Sequence, residues 1–267
     1  MKTLALVFCT LFIPLMGVAQ EEVPHRISIN FVGKPATEAD KLLGKADEAF
    51  DNEDYDTAFK YYQKAAEAGN IDAYTGLGRC YAYGLGVAFN AQSALHWYQK
   101  AAYAGSALGQ YYLGILYFEG WNGEKPDKKK GLEWLYKAAN GCEPWAMFYI
   151  GNCYRRGDGV EKNIDEAIHW YKKAAEQGYA GAQSDLGVMY HKGQGVKQDY
   201  FEAVKWYQKA AEQGDGTAQR NLGIMFYFGR GVRQDKYQAR EWFGKACDNS
   251  VQAGCDDYVK LNRELYN

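Results

Sequence analysis

Apolar side chains recur along this chain in two alternating helical patterns. Ala94, Trp97, Tyr98, Ala101 and Ala102 fall at i, i+3, i+4, i+7 and i+8, one face of an α-helix. The stretch before it reads Ala-x3-Leu-Gly-x2-Tyr. Its small residues let two helices approach closely, while the Leu and the aromatic fill their interface. The Leu-Gly pair stands at Leu77-Gly78, Leu113-Gly114, Ile150-Gly151, Leu186-Gly187 and Leu222-Gly223. A tryptophan follows each, at Trp97, Trp134, Trp170, Trp206 and Trp242, and the period is 36 residues. Fixed self-similarity on this scale marks a solenoid, whose units bury their apolar faces only against their neighbours. The expected fold is all-α, a stack of helix hairpins.

Punctuation supports the hairpins. Asp54, Asn90, Asp127, Asn163, Asp199 and Asp235 stand just before the second helix of each unit, where a short polar side chain caps the unpaired N–H groups of the first turn. Gly69, Gly105, Gly141, Gly178 and Gly214 stand where a left-handed residue closes that helix. Gly84-Leu85-Gly86, Gly157-Asp158-Gly159, Gly193-Gln194-Gly195 and Gly229-Arg230-Gly231 could be mistaken for phosphate loops, but they recur at the repeat period and lack a preceding strand, so they read as turns.

These signals divide the chain. Residues 71–250 hold five repeats, and the second carries one extra residue within Gly120–Pro126, where a solenoid tolerates insertions. Residues 37–70 form a degenerate hairpin with Asp54, Ala58, Tyr62 and Ala65 at the expected spacing, and residues 251–267 a terminal helix. Both are expected to cap the stack. Residues 20–36 carry no repeat and read as an arm or linker. Residues 1–19 read as a secretory signal peptide, with Lys2, an apolar run from Leu4 to Met16, and small residues at Gly17-Val18-Ala19. Cleavage near Ala19 would place the protein in the periplasm or outside the cell. No later run reaches the roughly 20 apolar residues of a membrane span.

The string Ala-x3-Leu-Gly-x2-Tyr-x2-Gly-x-Gly-Val, followed by Asp-x3-Ala-x2-Trp-Tyr-x2-Ala-Ala-x2-Gly, resembles the Sel1-like repeat, a relative of the tetratricopeptide repeat. The resemblance covers residues 71–250, with the first hairpin nearer the tetratricopeptide form. It implies a right-handed α/α solenoid whose first helices line a concave groove, acting as an adaptor in protein complexes. Many members of the family are secreted or periplasmic.

If the units stack as in tetratricopeptide repeats, the groove is lined by fixed first-helix positions counted from the Leu of Leu-Gly. These give Tyr111, Ile115, Phe118 and Glu119; Trp145, Phe148, Asn152, Arg155 and Arg156; Ser184, Val188, His191 and Lys192; and Arg220, Ile224, Tyr227 and Phe228. Aromatics and Arg most often anchor interfaces. Trp145 and Phe148 are expected to supply apolar anchors, Asn152 to bond peptide backbone, and Arg155, Arg156 and Lys192 to pair with carboxylates.

Charge and cysteines narrow the function. The net charge of −2 becomes −3 without the leader, which carries one lysine and no acid, so nothing argues for a nucleic-acid partner. His96 and His169 share a position that holds Glu133, Lys205 and Glu241 in other units, a solvated face rather than a metal site. No catalytic, cofactor or metal constellation is found, and no Ser-x-x-Lys. Cys247 and Cys255 stand across a helix turn, a spacing similar to the bridges of cysteine-rich Sel1-like proteins, and are expected to form a disulfide in an oxidising compartment. Cys80 and Cys153 read as packed core thiols, although Cys142 and Cys153 could pair instead. The leading reading is a non-enzymatic, monomeric scaffold for a protein or peptide. Two alternatives remain: a binder or hydrolase of cell-wall fragments or β-lactams, and an accessory factor of a secretion or toxin system.

Overall fold

The computed structural model describes residues 36–266. The expected leader, and all of the expected arm but Ala36, lie outside the described residues. Thirteen helices follow in order: α1 (Glu38–Asp51), α2 (Tyr55–Glu67), α3 (Ile71–Tyr83), α4 (Ala91–Tyr103), α5 (Ala107–Glu119), α6 (Lys128–Asn140), α7 (Pro144–Arg156), α8 (Ile164–Glu176), α9 (Ala180–Lys192), α10 (Tyr200–Glu212), α11 (Gly216–Phe228), α12 (Lys236–Asp248) and α13 (Gln252–Tyr266). Among the described residues there is no strand, and the fold is an all-α solenoid of helix hairpins.

Five of the six expected caps and four of the five expected closing glycines are seen at the helix ends. Asp54, Asn90, Asn163, Asp199 and Asp235 each accept a hydrogen bond from a first-turn N–H. Such a cap contributes about 1 kcal/mol. The glycines of the Gly-x-Gly turns have φ between 65° and 75°, as turn geometry requires. Gly69, Gly105, Gly178 and Gly214 have φ of 89–95°, but Gly141 is not their equivalent: Cys142, with φ 62°, takes the left-handed position. The extra residue between Gly120 and Pro126 shifts the frame by one, so the closing position falls one residue after the glycine.

The helices form two compact units. The first contains the described residues to Gly109 together with Ile115–Asp127; the second contains Gln110–Gly114 and the residues from Lys128. In the first, Leu43, Ala46, Ala58, Tyr62, Ala65, Ala73, Leu77 and Cys80 make one core. A Cβ on Gly78 would lie 2.6 Å from the Tyr98 ring. The glycine of Leu-Gly is thus the seat of an aromatic ring from the second helix. The inserted loop is anchored within this unit, where the Trp121 indole N–H donates to the Ala91 carbonyl at 3.1 Å.

The second unit uses the same device. Gly151 and Gly187 receive Tyr171 and Tyr207, and Gly223 receives Phe243. Buried Gln183 and Gln219 donate to the carbonyls of Ala175 and Ala211, each at 3.0 Å, adding a second bond to acceptors that already take the N–H of Gly178 and Gly214. The last helix, α13, packs on α12 and inserts Leu261 beside Ala239 and Phe243. The expected Cys247–Cys255 disulfide forms, with a Cα–Cα distance of 4.5 Å. Cys80 and Cys153 are buried thiols and Cys142 is an exposed one, so Cys142 and Cys153 are not bridged.

Candidate functional site

A connected polar and aromatic arrangement lies on α7 and α9, inside the second unit. Pro144 occupies the first turn of α7, where its missing N–H costs nothing, and the Glu143 carboxylate accepts from the Trp145 N–H at 3.3 Å. This start sets Trp145 and Phe148 one turn apart. Both are half-buried, and both meet Tyr179: ring centroids are 4.4 Å apart for Trp145 and 4.9 Å for Phe148. Phe148 also lies 5.5 Å from Tyr171.

One turn further, three side chains close a triangle. The Asn152 Oδ1 accepts from the Tyr171 hydroxyl at 3.0 Å and from Arg155 Nη2 at 2.9 Å, while Arg155 Nε donates to the Tyr171 oxygen at 2.9 Å. The guanidinium is thereby held by two of its nitrogens, with the rest of the exposed side chain facing outward. Burial pushes the Tyr171 hydroxyl up to about 12, against the opposing pull of Arg155, so it stays a neutral donor. Arg156 follows on the same last turn and is exposed, and Lys192 is exposed at the equivalent place on α9.

Across the step, α9 carries Asp185 and His191. Burial raises the Asp185 carboxyl above the usual carboxylate range, with Arg155 opposing the shift and Asp215 reinforcing it. Burial lowers His191, and the nearby positive charges of Arg230 and Lys192 lower it further. Its ring lies 3.4 Å (Nδ1) from the Tyr207 hydroxyl and 3.5 Å (Nε2) from Arg230 Nη1, with Tyr200 at 5.6 Å between centroids.

The predicted residues therefore separate into groups. Trp145, Phe148, Asn152, Arg155, Arg156 and Lys192 share the α7–α9 surface, and His191 sits at its edge. Tyr111 and Phe118 do not reach any surface: they are 8% and 1% exposed, packed as core aromatics. Arg220 and Tyr227 are already engaged, because α13 supplies Asp257 to Arg220 at 2.7 Å and Glu264 to the Tyr227 hydroxyl at 2.9 Å. The expected open face on α11 is the contact surface of the terminal helix instead.

Sequence reasoning passed over Tyr171, Tyr179 and Asp185. Tyr179 left a usable signal. It stands at the N-cap of α9, where Asn70, Ser106 and Asp215 cap α3, α5 and α11, and it makes no side-chain capping bond. A cap replaced by an aromatic marks a side chain recruited elsewhere, here against Trp145 and Phe148. Among the described residues no group of His, Cys, Asp and Glu is placed to hold a metal ion, and no helix is long and apolar enough to cross a membrane.

A family model described as Sel1 repeat matches residues 51–70, 71–106, 107–141, 146–179, 180–215 and 216–251. Over 113 residues the chain is 33% identical to the ERAD-associated E3 ubiquitin-protein ligase component HRD3B of Arabidopsis thaliana, covering 42% of this chain and 18% of that protein. The structure of c5321, a protective antigen present in uropathogenic Escherichia coli strains, superposes with a TM-score of 0.70 at 34% identity, over 86% of this chain and 50% of that one. A Sel1 repeat protein from Oxalobacter formigenes superposes with a TM-score of 0.73 at 28% identity, over 82% and 64%.

Proposed function

The chain belongs to the Sel1 repeat family, and we propose that it is a non-catalytic scaffold that holds a peptide or protein segment on the α7–α9 face. The observation that carries this reading is the Asn152–Arg155–Tyr171 triangle beside the half-buried pair Trp145 and Phe148. An arginine fixed by its own neighbours loses little freedom on binding, and aromatic residues beside it are the usual anchors of an interface. HRD3B is itself an E3 ubiquitin-protein ligase component, which agrees with a role in assembly. The Cys247–Cys255 bridge supports an oxidising compartment such as the periplasm or the exterior, and with it the secretory reading of the leader.

The test is capture of partners from the compartment in which the protein resides, with Phe148→Ala/Arg155→Glu as the matched control and helical content checked by circular dichroism. A partner retained by the native chain and lost by the variant is expected. Equal retention by both would overturn the assignment of the face.

A further inference from the structure

At the end of the second unit, α11 and α13 meet through side chains 37 residues apart in sequence. At the α11–α13 step these are Arg220 with Asp257 and Tyr227 with Glu264, at 2.7 and 2.9 Å, and Lys236 joins Glu264 as well. Each donor on α11 thus faces a carboxylate from α13. The same offset on α7 pairs Phe148 with Asp185 and Arg155 with Lys192. Where the terminal step sets a phenol against a carboxylate, the α7–α9 step sets a guanidinium against an ammonium.

Arg155, Arg156 and Lys192 are all exposed, and none forms a salt bridge among the described residues. Asp185 is the carboxylate at the step on which Arg155 and Arg156 act. It lies seven residues before Lys192, two helical turns or about 10 Å down α9. Arg155 and Arg156 both stabilise its ionised form, while Lys192 lies beyond the groups that act on it. Burial, with Arg230 and Lys192 behind it, holds His191 toward its neutral form. Among the described residues Arg155, Arg156 and Lys192 are left as donors for carboxylates with no ion pair of their own.

We propose that the segment held on this face is acidic and extended, with carboxylates three residues apart bridging Arg156 and Lys192; this rests on the binding role of α7–α9 proposed above. Arg156 and Lys192 are equivalent positions one repeat apart, and packed helices lie about 8–10 Å apart. A polyproline II segment rises about 3.1 Å per residue with three residues per turn. Its side chains at i and i+3 therefore share one face about 9 Å apart, whereas a β-strand turns i+3 to the opposite face. Such a segment leaves its backbone carbonyls unpaired. Asn152 can answer one, since its Oδ1 is taken by Tyr171 and Arg155 while its amide N–H groups remain to donate.

The test is fluorescence anisotropy of the full chain with labelled peptides of equal length at low salt. The probes are four Glu-Pro-Pro triplets, the same residues with the four glutamates clustered at one end, and four Gln-Pro-Pro triplets. The spaced acidic peptide is expected to bind about tenfold tighter than either control. Arg156→Glu and Lys192→Glu should each lose that advantage, while Lys173→Glu, on the Trp170 side of α8, should leave it unchanged. Equal binding of clustered and spaced acids, equal loss with Lys173→Glu, or no binding of any probe would overturn the proposal. If acidic probes fail but a captured partner still depends on Phe148 and Arg155, only the acidic character falls. If neither binds, the binding role of the face falls with it.

Discussion

Gly187 shows how a single atom sets the hairpin. A Cβ there would lie 2.4 Å from the Tyr207 ring, so either the ring or the helix must move. Gly187→Ala is expected to cost about 1–3 kcal/mol in urea unfolding, the usual penalty for forcing an atom into a packed core. An unchanged midpoint would mean that the ring gives way freely. Cys142 presents the opposite opportunity, because a residue with a Cβ is held at φ 62°. Cys142→Gly should stabilise the chain by about 1 kcal/mol, the penalty an L-residue carries in left-handed backbone. His191 adds a pH dependence whose sign is fixed by its surroundings. Its folded pKa is below 6.5, lowered first by burial and then by Arg230 and Lys192. As pH falls through about 6.5 the unfolded chain takes up the proton first, so this residue makes the fold less stable toward pH 5.5. The loss of melting temperature between pH 7.5 and 5.5 should shrink in His191→Gln; an equal or larger loss would contradict the shift.

At the scale of elements, α13 is held by a disulfide, an Arg220–Asp257 ion pair and a Glu264 carboxylate that serves both Tyr227 and Lys236. The bridge closes a short loop, and cross-linking such a loop restricts the unfolded chain by about 2–3 kcal/mol. Cys247→Ser/Cys255→Ser should therefore lower stability by about that amount. Hydrogen exchange should rise in α13 while α7 and α9 keep their protection; uniform acceleration would show that α13 is not an independently held element. Helices and caps were legible in the sequence because each signal occurs several times at one spacing, so a chance Asn or Gly is outvoted by its equivalents. Gly141 misled because residue type was followed across an insertion, where the frame instead names Cys142. Arg220 and Tyr227 were misplaced because residues 251–267 were read as a cap without asking which side chains a neighbouring helix would cover.

For the molecule as a whole, the repeat fixed the fold class, and six matched segments fix the family. The site was legible in part. The positions on α7 that tetratricopeptide geometry points to are all exposed or half-buried, whereas Tyr111 and Phe118 are swallowed by local packing that periodicity does not report. Hydrogen bonds such as those of the Asn152–Arg155–Tyr171 triangle depend on rotamers and on a residue from the partner helix, and no one-dimensional pattern encodes them. The central claim is that the α7–α9 face is where another chain is held. A photo-crosslinking amino acid at Val188, on α9, compared with one at His169 on the exposed side of α8, tests this most directly in the cells that make the protein. Adducts from Val188 and none from His169 are predicted. Adducts from His169 alone, or equally from both, would contradict it.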